Sequence, residues 1–188
     1  MMATAAASTG LVENLPMGEM MDRIQLEQFR HDELYHREIS RLPTQAKLKH
    51  MALHFAKYAG NLRESGSDPA AFKRIVTDVF VIATTTANAL NVRLADELAV
   101  VAGDASFDTD SLASMSEALT VNAGRMAAAC EKLDHLEDYP FRPIIKAAAV
   151  ELLRASLNVC RAEAWVIQDL VAARLQPIKE KSIFYGKL

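Results

Sequence analysis

"KLKHMALHFAKYAGNLRESGSDPAAFKRIVTDVFVIATTTANAL", residues 47–90, is two helical patterns joined by a turn. In the first, Leu48, Met51, Ala52, Phe55, Ala59 and Leu62 recur at the three-and-four spacing of one buried helix face. "SGSD" (65–68) interrupts it, and Gly66 suits the left-handed residue that follows a helix end. Asp68 then stands where a helix cap belongs, with Pro69 at the first helical position, where its missing N–H costs nothing. Phe72, Ile75, Val76, Val79, Ile82, Ala83, Thr86, Ala87 and Leu90 continue as a second stripe, which Asn91 terminates. The spacing predicts an antiparallel hairpin in which Leu48, Phe55, Leu62, Ile75, Val79 and Ala83 share one core.

The same signals extend in both directions. Leu42–Pro43 stops a helix expected from Met17 to Arg41, and Thr44 is placed to cap the next. Residues 1–16 are small and polar and are expected to be flexible. After Asn91, "LADELAVVA" predicts a short helix and "GDASFDTDS" a polar connector. A helix from Ser111 to Leu136 is stopped by "EDYP", and another is expected from Phe141 to Leu175, before Pro177. The expectation is one all-α domain, a bundle at 17–182 with long antiparallel hairpins at 44–102 and 111–175. Residues 183–188, with adjacent Ile183, Phe184 and Tyr185, read as an apolar strap. "HFAKYAGNL" (54–62) lies over "RMAAACEKL" (125–133), and "FKRIV" (72–76) over "FRPII" (141–145). An internal duplication and two unrelated amphipathic hairpins both account for this.

Composition narrows the class. Apolar residues make up 51% and charged residues 24%, an ordinary globular balance, while 7 Gly and 6 Pro in 188 residues favour helix. A net charge of −3 supplies no field for a phosphate backbone, so nucleic acid is not the expected partner. Cys130 and Cys160 lie in helical patterns and read as reduced core thiols. No run approaches the roughly 18 apolar residues of a membrane span, and the N-terminal stretch has no secretory pattern. The cytoplasm is the expected compartment.

The stretch from Leu48 to Leu98, about a quarter of the 188 residues, resembles the MazG-like all-α nucleoside triphosphate pyrophosphohydrolase superfamily. The resemblance rests on "KLKHMALHFAKYAGNL" followed by "DVFVIATTTANALNVRLADEL". It implies two facing helices carrying Glu-x-x-Glu and Glu-x-x-Asp, whose carboxylates hold Mg²⁺ against a triphosphate cleaved between its α and β phosphorus atoms. Residues three apart share a helix face, and Mg²⁺ takes oxygen ligands in octahedral array. The matching positions here are Tyr58 and Asn61, then Ile75 and Asp78. Only Asp78 keeps a carboxylate. The resemblance therefore implies a degraded magnesium site, in a structural, interaction or nucleotide-binding protein with little catalysis. The alternative is an active Mg²⁺-dependent pyrophosphohydrolase that recruits other acids. By the same resemblance, Lys57, Asn61, Asn88 and Asn91 are the candidate nucleotide contacts, and the chain is expected to form a homo-oligomer.

Two clusters need their simpler readings beside the functional ones. "FRHDELYHREISRL" (29–42) carries His31, Asp32, Glu33, His36 and Glu38, of which Glu33 and Glu38 are candidate metal ligands beside Asp78. Glu33 and His36 also form the Glu-x-x-His unit of ferritin-like metal bundles, a second alternative. A later partner pair would have to come from Glu131, Asp134 and His135, whose spacing differs. A solvated, charge-rich helix face is the simpler expectation for the leading cluster. Asp78 lies near the apolar stripe of its helix and needs a partner, for which His54 is the first expectation. Asn88 and Asn91, near a helix end, also suit caps, and Lys57 also suits a solvated lysine.

Overall fold

The structure, a computed structural model, describes residues 16–99 and 111–182. Among these are eight helices: α1 (Met17–Tyr35), α2 (Arg37–Ser40), α3 (Thr44–Glu64), α4 (Pro69–Ala89), α5 (Leu94–Ala99), α6 (Ser111–Asp134), α7 (Phe141–Ala162) and α8 (Ile167–Glu180). No strand occurs among the described residues.

Helices α3, α4, α7 and α6 pack in that cyclic order as a four-helix bundle of two antiparallel hairpins. The six side chains expected to share the first hairpin's core are all buried in the one apolar cluster. Met115, Leu119, Met126, Ile145, Leu152 and Leu153 bring the second hairpin into that same cluster. Cys130 and Cys160 are buried free thiols, and burial pushes the Cys160 thiol up to about 11. Outside the four-helix core, α1 lies against α4 and α5, and α8 against α4 and α1.

The start of α4 forms as its sequence dictates. Asp68 Oδ1 accepts from the Ala70 and Ala71 amides at 2.9 and 3.3 Å, and Gly66 adopts φ +57°. Three later helix ends share another device. The amides of Val92, Glu137 and Trp165 reach back five residues to Ala87, Lys132 and Cys160, with Asn91, Leu136 and Ala164 in the left-handed region.

Three boundaries correct the sequence reading. The leading helix does not run to Arg41, because His36 breaks it at φ −130°, ψ 45°. Thr44 begins α3 rather than capping it, and Pro43 holds the cap position with no side-chain bond. The expected helix from Phe141 to Leu175 is two helices, separated by Glu163–Val166. At that turn Trp165 packs on Phe72 with ring centroids 6.0 Å apart, under the Lys73 ammonium at 4.9 Å. Pro177 lies inside α8 and does not end it. The break lets α8 fold back over α4 instead of running on past the bundle. The strap expected at 183–188, the connector at 103–110 and the flexible segment up to residue 15 lie outside the described residues. Among the described residues no helix is long and apolar enough to cross a membrane.

Candidate functional site

The space between α1, α3, α4 and α8 is a cavity of about 280 Å³, close to the lower end of small-ligand pockets. The α3 wall is a ladder of rings at i, i+4 and i+8. His50 and His54 stack edge-on with centroids 4.6 Å apart, and Tyr58 follows His54 at 5.7 Å. Their nitrogens are engaged along the helix: His54 Nε2 lies 3.0 Å from His50 Nε2, and Lys57 Nζ lies 3.2 Å from His54 Nδ1. Burial, with Lys57 and His50 nearby, lowers the His54 pKa to about 4, so the ring is neutral at pH 7. Burial beside Asp78 likewise raises the Tyr58 phenol above its ordinary value.

The α1 wall turns inward His31, Asp32 and Glu33 of the cluster that the sequence suggested would be solvated. His31 is 2% exposed and Gln28 likewise, while Asp32 is half-buried. Asp32 accepts from Thr85 Oγ1 at 2.8 Å and from Gln28 Nε2 at 2.8 Å. Burial raises the Asp32 pKa, and those two hydrogen bonds oppose the rise. His31 sits 4.9 Å from the Tyr35 ring and 5.4 Å from that of His36. Burial, then the nearness of His36 and Lys179, lowers its pKa to about 4.

The far wall comes from α8. Arg174 Nε donates to Asp78 Oδ1 at 2.5 Å, and Nη2 lies 3.3 Å from Oδ2. Asp78 thus meets a guanidinium, not the imidazole of His54, which only feels its charge. An acid beside the apolar stripe did need a partner, but the partner lies 96 residues away.

Of the positions that the resemblance aligns with metal carboxylates, Tyr58 and Asp78 reach the cavity. Ile75 is buried in the bundle core, and Asn61 is exposed elsewhere on α3. Glu33 lines the cavity, but Glu38 does not, and its carboxylate lies 3.7 Å from His36 Nδ1. Asp134, in the later cluster of the ferritin-like alternative, instead bonds Lys49 and Gln45. Among the described residues no three His, Cys, Asp or Glu side chains converge on a point that could hold a metal ion. With both Asp78 oxygens in the Arg174 fork and Asp32 held by Thr85 and Gln28, these donors do not fit an octahedral Mg²⁺.

Lys57 lines the cavity with its ammonium 4.5 Å over the Tyr58 ring. Asn88 also lines it, yet its amide donates to the Gln25 carbonyl at 3.1 Å, helping to tie α1 to α4. Asn91 is exposed, ends α4 at φ +52° and lies outside this cavity. Gln28, Ser40 and Arg174 enter the site without a prior signal in the sequence. The His50–His54–Tyr58 spacing was visible, but only the packing of α1 and α8 gives that face a cavity. No family model, no curated protein and no solved structure matches this chain.

Proposed function

We propose that the chain is a divergent MazG-like protein that binds a nucleotide-type ligand between α1, α3, α4 and α8, and that its pyrophosphohydrolase chemistry is largely lost. The observation that carries this reading is the fate of Asp78. It faces the cavity from the aligned metal position, yet its carboxylate is occupied by Arg174. The aromatic and imidazole ladder of α3 offers flat faces to a base, and Lys57 offers a cation to phosphate. Two side-by-side hairpins, of 21 and 21 and of 24 and 22 residues, also suit an origin by duplication.

A second reading has one observation in its favour: Asp32 and Glu33 line the same cavity as Asp78, so three carboxylates face one space. Rearranged around Mg²⁺ and a triphosphate, they would give the active alternative. A pyrophosphate-release assay over a dNTP and NTP panel, with Mg²⁺ and with Mn²⁺, decides between the two. The expected result is nucleotide binding by calorimetry with little or no release. Robust turnover abolished by Asp78→Ala, at an unchanged melting temperature, would establish the active reading instead. The homo-oligomer that the resemblance implies is checked by sedimentation of the same preparation.

A further inference from the structure

Buried polar atoms almost always find a partner, and those that do not call for an explanation. Among the described residues four side chains hold buried nitrogen or oxygen atoms with no hydrogen bond: Gln28, His31, Ser40 and Arg154. Three of the four line the one cavity, and all three lie on its α1–α2 wall. Gln28 and His31 are three residues apart and therefore on one face of α1, and Ser40 closes α2.

Their chemistry limits what can satisfy them. Gln28 gives its Nε2 hydrogen to Asp32, so the atom left over is Oε1, an acceptor. His31, neutral at pH 7, presents one N–H donor and one bare nitrogen acceptor, both unmatched. The Ser40 hydroxyl can do either. A fully ionised phosphate or carboxylate carries acceptors only and would leave Gln28 Oε1 and the bare nitrogen of a neutral His31 unpaired. A hydrocarbon would leave every one of them unpaired. What matches is an uncharged group with donors and acceptors side by side, flat enough to lie along the ring ladder of α3.

We propose that Gln28, His31 and Ser40 form the wall that reads the hydrogen-bonding edge of a nucleobase, while the phosphates stay clear of it, on the Lys57 side of the cavity. This rests on the nucleotide reading above and adds which end of the ligand goes where. It also assigns the α1 histidine to recognition rather than to a metal.

The test measures binding of four neutral nucleosides, of the matching nucleotides and of inorganic triphosphate by calorimetry. The proteins are the full chain and its His31→Phe and Ser40→Ala variants. His31→Phe keeps an aromatic ring and removes both nitrogens, and Ser40→Ala removes one oxygen at little risk to folding. The expected result is that at least one nucleoside binds the full chain and binds each variant at least tenfold more weakly. Triphosphate binding should be unchanged, and melting temperatures equal or higher. A histidine held only for structure would lower the melting temperature when replaced. Nucleoside affinity within twofold of the full chain in both variants would overturn the proposal. Triphosphate and nucleotides binding without any nucleoside would also overturn it, leaving the nucleotide reading intact. Nucleosides binding as tightly as their nucleotides would keep the wall and remove the nucleotide. If nothing binds, both fall, and the orphaned atoms are met by water alone.

Discussion

Arg174 of α8 and Asp78 of α4, 96 residues apart, meet as a fork at 2.5 and 3.3 Å on the edge of the cavity. The Asp78 side chain is 12% exposed and that of Arg174 40%. Removing the cation therefore leaves a nearly buried carboxylate without its partner, though with some access to water. Arg174→Leu should cost about 1–3 kcal/mol, less than a fully buried pair because the guanidinium is partly solvated. Urea unfolding of Arg174→Leu, Asp78→Asn and the double variant measures the coupling. Strict additivity of the two single effects would show that the contact contributes nothing.

Phe55 is fully buried at the centre of the α3–α4 hairpin and belongs to the cluster that joins both hairpins. Phe55→Ala should destabilise by about 3–5 kcal/mol, the range for a large side chain whose site cannot collapse. A midpoint shift worth less than about 1 kcal/mol would mean that the four-helix core is packed differently.

Leu136 sits at φ +55° with 88% of its surface exposed, so it bears the left-handed strain without a packing return. For a residue with a Cβ that conformation costs roughly 1–2 kcal/mol, partly offset by the greater unfolded-state freedom of glycine. Leu136→Gly should raise stability by up to about 1 kcal/mol, read as a higher melting temperature. A loss would point to a contact of Leu136 with some other molecule.

His31 and His54 should make the fold acid-sensitive in a particular window. Both have pKa values lowered to about 4 from 6.5, so between those limits the unfolded chain binds protons that the folded one refuses. Their share of stability is fully present above about pH 6.5, falls as the pH drops towards 4, and changes no further below that. Asp32 acts in the opposite sense, because its raised pKa favours the folded state on acidification above about pH 3.8. At 1.36 kcal/mol per pKa unit, His31 alone is worth at most about 3 kcal/mol across the window. Unfolding midpoints measured from pH 7.5 to 4 should fall, and His31→Phe should flatten the slope. An unchanged slope would mean that His31 titrates normally.

What the amino-acid order determined by itself is local. The three-and-four stripes, the Asp68–Pro69 start, Gly66 and Asn91 act within a turn or two of chain, so they read directly as two helices and their ends. Alternation of apolar and polar faces likewise fixed which side of α3 and α4 is core, since burial is set by helical period. Other features depended on tertiary structure. Ala164 carries no signal for a left-handed turn, and α7 stops there because Trp165 finds Phe72 and α8 finds α4. That fold-back brings Arg174 to Asp78, a pairing that no spacing in the sequence encodes. The packing of α1 on α4 buries His31 and half-buries Asp32, turning residues that read as a wet helix face into the inner wall of a cavity. Periodicity tells which face of a helix is apolar, but a polar face is buried or solvated according to which other helix lies across it, and that is decided by long-range packing.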